Sequence, residues 1–63
     1  MPAMTRDEKL QSIPSAVCGT ALAHGAQRAS ATLARMLDEV RADSRERWTI
    51  RQAAIIEIRK YTN

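Results

Sequence analysis

With 63 residues, a single cysteine and a single histidine, the chain can form no internal disulfide and supplies too few ligands for a structural zinc site. A chain this short buries only about 60% of its unfolded surface, so such folds usually need a staple or a partner. The net charge of +3 arises entirely from residues 41–63, because residues 1–40 carry four basic and four acidic side chains.

The composition of the N-terminal part indicates where the protein resides. The first ten residues lack the apolar run of a signal peptide. The uncharged stretch Leu10–Gln27 contains too many polar and small residues to insert into a bilayer. A lone cysteine is typical of a reducing compartment. We therefore expect a cytoplasmic protein that makes no membrane contact.

The first predicted element is a short helix over about residues 5–12. Thr5 and Glu8 have the spacing of a capping box, in which each side chain binds the backbone N–H of the other residue. Pro14 is expected to end this helix, because proline pushes Ile13 out of helical geometry.

The second predicted element is a long helix from about residue 15 to residue 42 or 47, with Pro14 at its first position. Its small and apolar residues recur every three or four positions, which is the seam of a coiled-coil-like packing, and Leu37 widens this seam. We predict that the seam forms an oligomer interface, most simply in a homodimer, through Gly19, Leu22, Ala26, Ala29, Leu33, Met36 and Val40.

Two glycines within this segment support close packing. Gly19 and Gly25 each cost about 1 kcal/mol relative to alanine inside a helix, and the close approach of a second helix would offset that cost. The absence of charge over Leu10–Gln27 fits a buried helix pair. The alternative is that one of the two glycines breaks the helix.

The end of the long helix has two candidate positions. Asp43 with Glu46 offers one capping signal, which places the turn at 42–44. Thr49 with Gln52 offers a second, which places the turn at 48–49. A pair between Asp43 and the arginine four residues later slightly favours the later turn.

A C-terminal helix is predicted over about residues 49–61. It places Ile50, Ala54, Ile58 and Tyr61 on one face, with isoleucines also at 55 and 56 on its flanks. The alternating run 56–58 could instead be an edge strand, but the chain offers no second strand to pair with it. The fold class is therefore all-α: one small helical domain over residues 1–63, built as a helical hairpin and completed by oligomerisation.

No arrangement of side chains indicates catalysis, a cofactor or a metal ion. Cys18 has no base or cation within a helical turn, so we expect a small buried hydrophobe. His24 lies off the Cys18 stripe, and neither a glycine-rich phosphate loop nor a nucleophile motif is present. We predict that the protein is not an enzyme.

The basic C-terminal third is the surface predicted to contact a partner or nucleic acid, through Arg41, Arg45, Arg47, Trp48, Arg51, Arg59 and Lys60. The simpler interpretation is a solvated, salt-bridged helix surface. A helix-turn-helix is disfavoured, because the turn has no glycine and the second helix carries isoleucines where base-reading side chains belong. Trp48 either covers the hairpin core or serves as a binding hot spot.

Two short segments resemble known families. Residues 4–9, Met-Thr-Arg-Asp-Glu-Lys, together with the length and hairpin plan, resemble the repressor-of-primer family. That resemblance implies a hairpin that dimerises into a four-helix bundle and binds paired RNA loops. The run Trp48-Thr49-Ile50-Arg51, followed by Ala54 and Ile56, resembles the C-terminal part of the lambdoid restriction-alleviation family. Both point to a small accessory protein of phage or plasmid type.

Three functions follow from these features. We expect a non-enzymatic interaction or regulatory module that binds another, unknown protein. The first alternative is a basic helical regulator that binds DNA or RNA with salt-sensitive affinity. The second is an oligomer that binds a small ligand at its interface, near residues such as His24 and Arg28.

Overall fold

The computed structural model describes residues 3–62 and contains three α-helices. Helix α1 spans Arg6–His24, α2 spans Ala26–Glu39 and α3 spans Ser44–Thr62. These residues include no strand. The all-α prediction is confirmed, and the alternative of an edge strand at 56–58 is wrong because these residues lie inside α3.

Helix α1 begins where the sequence predicts but continues through Pro14. Thr5 accepts a hydrogen bond from the Glu8 N–H (3.2 Å) and donates its own N–H to the Glu8 carboxylate (3.4 Å), so the capping box is confirmed. The predicted helix end at residue 12 is wrong. Proline inside a helix costs roughly 3 kcal/mol. The same stretch buries Ile13 and Val17, and burial of two aliphatic side chains offsets that cost.

A single residue, Gly25, separates α1 from α2 and interrupts the long helix predicted from residue 15 to 42 or 47. Its φ of 94° and ψ of 169° lie in a region that only glycine occupies readily. The break allows α2 to fold back against α1. The prediction of a continuous long helix is therefore wrong. The alternative, that one of the two glycines breaks the helix, is confirmed at Gly25.

Helix α2 ends in a Schellman motif centred on Arg41. The Ala42 N–H donates to the Leu37 carbonyl and the Arg41 N–H donates to the Asp38 carbonyl, both at 3.0 Å. Arg41 takes the left-handed conformation, with φ at 52°, although glycine is usual at this position. The turn therefore lacks the glycine by which a helix end is normally recognised in a sequence.

Helix α3 begins with the earlier of the two predicted capping signals. The Glu46 N–H donates to the Asp43 carboxylate at 2.7 Å, and the Asp43 N–H donates to the Glu46 carboxylate at 2.9 Å. The turn at 42–44 is correct, while the favoured turn at 48–49 and the predicted helix start at residue 49 are wrong. Residues 44–48 form the first turn of α3, because this capping box is satisfied at both of its ends.

Helix α1 is central and packs against both α2 and α3, which contact each other only marginally. Arg6, in the first turn of α1, reaches the end of α2 and the first turn of α3. Helix α2 therefore runs antiparallel to α1, and α3 runs parallel to it. The core takes aliphatic side chains from all three helices and the α2–α3 turn: Leu10, Ile13, Val17, Ala29, Leu33, Leu37, Val40, Ala42, Ile50 and Ala54.

Candidate functional site

An apolar groove lies between α2 and α3, and α1 contributes to its lining. It exists because α2 and α3 both pack on α1 but hardly touch each other. Its volume is about 240 Å³. Small and aliphatic residues dominate the lining, which consists of Val17, Ala26, Ala29, Ser30, Leu33, Arg51, Ala54, Ile55 and Ile58.

Arg47 joins α2 and α3 beside the turn that connects them. Its Nη2 lies 2.8 Å from the Asp38 carboxylate of α2, and its Nε donates to the Ala42 carbonyl at 2.8 Å. The groove residues lie farther from the turn along both helices. The ion pair therefore holds the two helices together at one end, and the groove occupies the part where they separate.

Two adjacent isoleucines of α3 differ in their relation to the groove. Ile55 lines it and is 37% exposed, whereas Ile56 is 57% exposed and lies outside the lining. Ile58 also lines the groove and is half-buried. The α3 side of the groove is therefore an aliphatic surface, formed by Ile55 and Ile58, that the described residues leave partly uncovered.

Among residues 3–62, Arg51 is the only charged residue in the groove lining. Its side chain is exposed and makes no hydrogen bond or ion pair with any residue between 3 and 62. No carboxylate from the described residues contributes to the lining. The site therefore combines an apolar surface with one cation whose charge is not neutralised within the described part of the chain.

The residues predicted to form an oligomer interface are divided between the core and the surface. Ala29, Leu33 and Val40 are buried in the core of the chain itself, and Met36 packs against that core. The exposed members are Gly19, Leu22 and Ala26. The prediction that these residues form one continuous interface is wrong, because the bend at Gly25 turns the α2 members towards the core of the chain. Self-association through the exposed members stays a prediction.

Gly19 lies on the exposed side of α1, where a β-carbon would meet no atom within 4 Å. For an isolated chain, Gly19→Ala should raise the free energy of unfolding by roughly 0.5–1 kcal/mol, since alanine is favoured over glycine inside a helix. Urea unfolding followed by circular dichroism measures the change. A loss of stability that becomes larger at higher protein concentration would instead reveal a second copy packed on Gly19.

Two of the predicted basic contact residues are already paired within the chain. Arg47 binds Asp38, and Lys60 binds Glu57 at 3.1 Å. The others, Arg41, Arg45, Arg51 and Arg59, are exposed and make no ion pair with the described residues. Among the described residues of the C-terminal third, the basic groups without an ion pair are therefore these four arginines.

Trp48 and the three remaining singled-out residues have clear positions. Trp48 is 64% exposed in α3, so its interpretation as a cover for the core is wrong. Cys18 is buried, as expected for a small hydrophobe. His24 and Arg28 are exposed and do not line the groove, so a ligand site near them at an oligomer interface stays a prediction.

Arg6 joins the three helices through contacts that the sequence does not indicate. Its Nη2 and Nη1 donate to the two Glu46 carboxylate oxygens at 2.7 and 3.0 Å, and its Nε donates to the Val40 carbonyl at 2.9 Å. Such a bidentate pair is the stronger form of arginine–carboxylate contact. Its partners are 34 and 40 residues away in the chain, so no local spacing predicts it.

Because of this contact, we expect the free energy of unfolding to fall when the solution is acidified. The hydrogen bond from Arg6, and after it the Asp43 N–H, lowers the pKa of Glu46 from 4.5 to about 2. The folded state therefore binds fewer protons than the unfolded state between these two pH values. The stabilisation that the Arg6–Glu46 contact gives above pH 4.5 is lost as the pH falls towards 2.

Urea midpoints measured from pH 6 to pH 2 should fall less steeply in Glu46→Gln than in the wild type. In Glu39→Gln, which breaks an exposed pair within α2 alone, the wild-type slope should persist.

A second, more polar cleft of about 410 Å³ lies between the first halves of α1 and α3, lined by Asp7, Leu10, Gln11, Arg45, Glu46, Thr49 and Ile50. It adjoins the Arg6–Glu46 contact, so its Glu46 carboxylate is already bound by Arg6.

Across residues 3–62, no three His, Cys, Asp or Glu side chains are placed to hold a metal ion. In the same part of the chain, no helix has the length and hydropathy to cross a membrane.

Comparison of the chain with family models, curated proteins and solved structures found no match. The resemblance to the repressor-of-primer family therefore rests on residues 4–9, the length and the hairpin plan, and that to the restriction-alleviation family on the segment that begins at Trp48.

Proposed function

We propose that this protein is a non-enzymatic interaction module that binds a helix of another protein in the groove between α2 and α3. The uncovered apolar lining of this groove is the observation that carries the proposal. Recognition of an amphipathic helix by an apolar groove is a common mode of peptide binding. A role as a phage- or plasmid-type accessory protein in the cytoplasm is compatible with this function and rests on the sequence alone.

The size of the groove supports a protein ligand over a small molecule. Pockets that enclose small molecules usually measure about 300–1,000 Å³, and this groove measures about 240 Å³. It lies between two helices that are joined only near their connecting turn. A partner helix laid between them would insert a few side chains and cover Ile55 and Ile58. Helix α3 would then contact a second neighbour in addition to α1.

Substitution of the two adjacent isoleucines tests the proposal. Ile55→Asp should reduce binding of the partner at least about tenfold, because it places a charge in the apolar lining and removes an aliphatic contact of roughly 1.5–3 kcal/mol. Ile56→Asp is the matched control, since it makes the same change on the same helix outside the lining. Tagged wild-type protein and both variants are incubated with nuclease-treated host lysate, and the retained proteins are quantified by mass spectrometry.

A protein that is retained by wild type and Ile56→Asp but lost with Ile55→Asp would support the groove, and calorimetry with the purified partner would then give the affinities. Equal retention by all three forms would contradict it. So would equal loss with both variants while circular dichroism shows that both remain folded.

Nucleic-acid binding is the second candidate, favoured by the exposed side chains of α3. Arg45 and Arg59 have no acidic partner among the described residues, and Trp48 is exposed on the same helix. Arginines on such a face can bind phosphates and a tryptophan can stack on a base. If this alternative holds, nuclease treatment of the lysate should abolish retention of host components by the tagged protein. Ile55→Asp should leave that retention unchanged, and it should weaken steeply as the salt concentration rises.

A further inference from the structure

We infer that the helix received by the groove is acidic, and that Arg51 selects it by binding a carboxylate next to the apolar stripe. This inference rests on the proposed function and specifies the chemistry of the partner. It starts from the composition of the groove, in which every lining residue except Ser30 and Arg51 is apolar. A helix that fills the groove must therefore bring an apolar stripe, and Arg51 determines which charge may flank it.

The charges of α3 indicate a negative partner. Its two carboxylates are already occupied, Glu46 by Arg6 and Glu57 by Lys60. Arg51 has no partner among residues 3–62. A partner that covered the groove without an acidic group would remove part of the hydration of Arg51 and give no charge in return, which is unfavourable. A carboxylate at that position would compensate the lost hydration.

A second copy of the chain fits the groove less well than an acidic helix. Helix α3 of another copy would bring Arg45, Arg51 and Arg59 towards the same cation, and its two carboxylates are already paired. The exposed side of α1 is uncharged from Leu10 onwards, so it supplies apolar contact but no counter-charge. Neither surface neutralises Arg51, whereas a helix with glutamates beside its apolar stripe does so directly.

Two synthetic peptides of about 18 residues, long enough to form helix on binding, test the inference. Both carry the same leucine stripe at positions i, i+3, i+4 and i+7. One has glutamates beside the stripe and the other has lysines. The fluorescence anisotropy of labelled peptide gives the affinity of each for wild type, Arg51→Gln and Arg59→Gln. Arg59→Gln is the matched control, because it removes the same charge from the same helix outside the groove lining.

We expect the glutamate peptide to bind wild type and Arg59→Gln several-fold more tightly than the lysine peptide does. Arg51→Gln should reduce the affinity for the glutamate peptide by about threefold to fivefold, the range of a partly exposed ion pair. Raising the salt concentration to about 0.5 M should reduce the difference between the peptides. The charge-reversed variant Arg51→Glu should prefer the lysine peptide.

Three results would overturn the inference. Equal effects of Arg51→Gln and Arg59→Gln would show that only the net charge of the protein matters. Equal binding of both peptides by wild type would remove the acidic preference and leave the proposed function intact. Absence of binding by either peptide, with all proteins folded by circular dichroism, would count against helix binding in the groove and so against the proposed function as well.

Discussion

Replacing Gly25 with alanine should open the α1–α2 hairpin and raise the mass of the protein in solution. The φ and ψ values of Gly25, 94° and 169°, cost an L-residue of order 1–3 kcal/mol. Alanine is favoured over glycine by about 1 kcal/mol once the residue becomes part of a helix. Both effects favour a straight α1–α2 helix. Together they approach the roughly 3–5 kcal/mol that a core of this size can supply.

A straight helix would remove the apolar face of α2 from α1. Leu33 and Leu37, which are buried in the hairpin, could then be covered only by α1 of a second copy. That exchange is a domain swap, to which short connections under strain are prone. The protein should keep its helical circular dichroism but show a higher, concentration-dependent mass by light scattering.

Gly19→Ala is the control for this experiment, because it makes the same replacement in α1 at a position with helical geometry. Neither glycine has an atom within 4 Å of an added β-carbon, so steric crowding is the same at both sites and only the backbone conformation differs. The control should keep the wild-type mass. If Gly25→Ala also kept the wild-type mass and lost no stability, the bend would not depend on glycine.

The features that the sequence predicts correctly are those determined by a few neighbouring residues. The capping box at Thr5 forms as its spacing indicates, and of the two signals offered for the last helix the one at Asp43 forms. The helical class follows from periodicity alone. The wrong helix boundaries lie at Pro14, at Gly25 and at the start of α3. At the start of α3 two local capping signals compete, and the earlier one forms. At Pro14 and Gly25 local preference competes with tertiary packing. At Pro14 the apolar burial prevails over the local preference, and at Gly25 the backbone freedom of glycine is used.

One signal in the sequence could have placed α1 correctly. Leu10, Ile13, Val17 and Ala21 recur at helical spacing on both sides of Pro14, and all four belong to or pack against the core. This stripe, unlike the seam that begins at Gly19, indicates a helix that passes through the proline. In α2 the predicted seam coincides with the buried face, whereas in α1 Gly19 and Leu22 lie off the buried stripe. The two antiparallel helices do not share one continuous face.

The groove itself could not be predicted from the sequence. Ile55 and Ile56 are identical neighbours in the chain, and only the direction of α3 relative to α2 makes one of them part of the groove. The same applies to Arg51 and Arg59, of which only the first lines it. Six of the seven residues predicted to contact a partner lie on α3, and their contact with a partner stays a prediction. Their division into paired, free and groove-lining groups depends on contacts between distant residues.

The second large effect is expected at Leu37, which is 1% exposed and, with Ile13, among the largest fully buried side chains. Truncation of a buried leucine to alanine costs about 2–5 kcal/mol. A core in a chain of this length supplies only about 3–5 kcal/mol. Leu37→Ala should therefore leave the protein largely unfolded at room temperature. Loss of the helical circular dichroism signal, and its recovery in a stabilising osmolyte, would measure this.

Leu22→Ala gives the matched comparison, because it makes the same truncation at a leucine of α1 that is 52% exposed. For a chain that folds alone, it should change the free energy of unfolding by no more than about 0.5 kcal/mol at every protein concentration. A cost that approaches that of Leu37→Ala, and that depends on concentration, would mean that a second copy buries Leu22. The predicted self-association through Gly19 and Leu22 would then hold, and the stability of the three helices would depend on it.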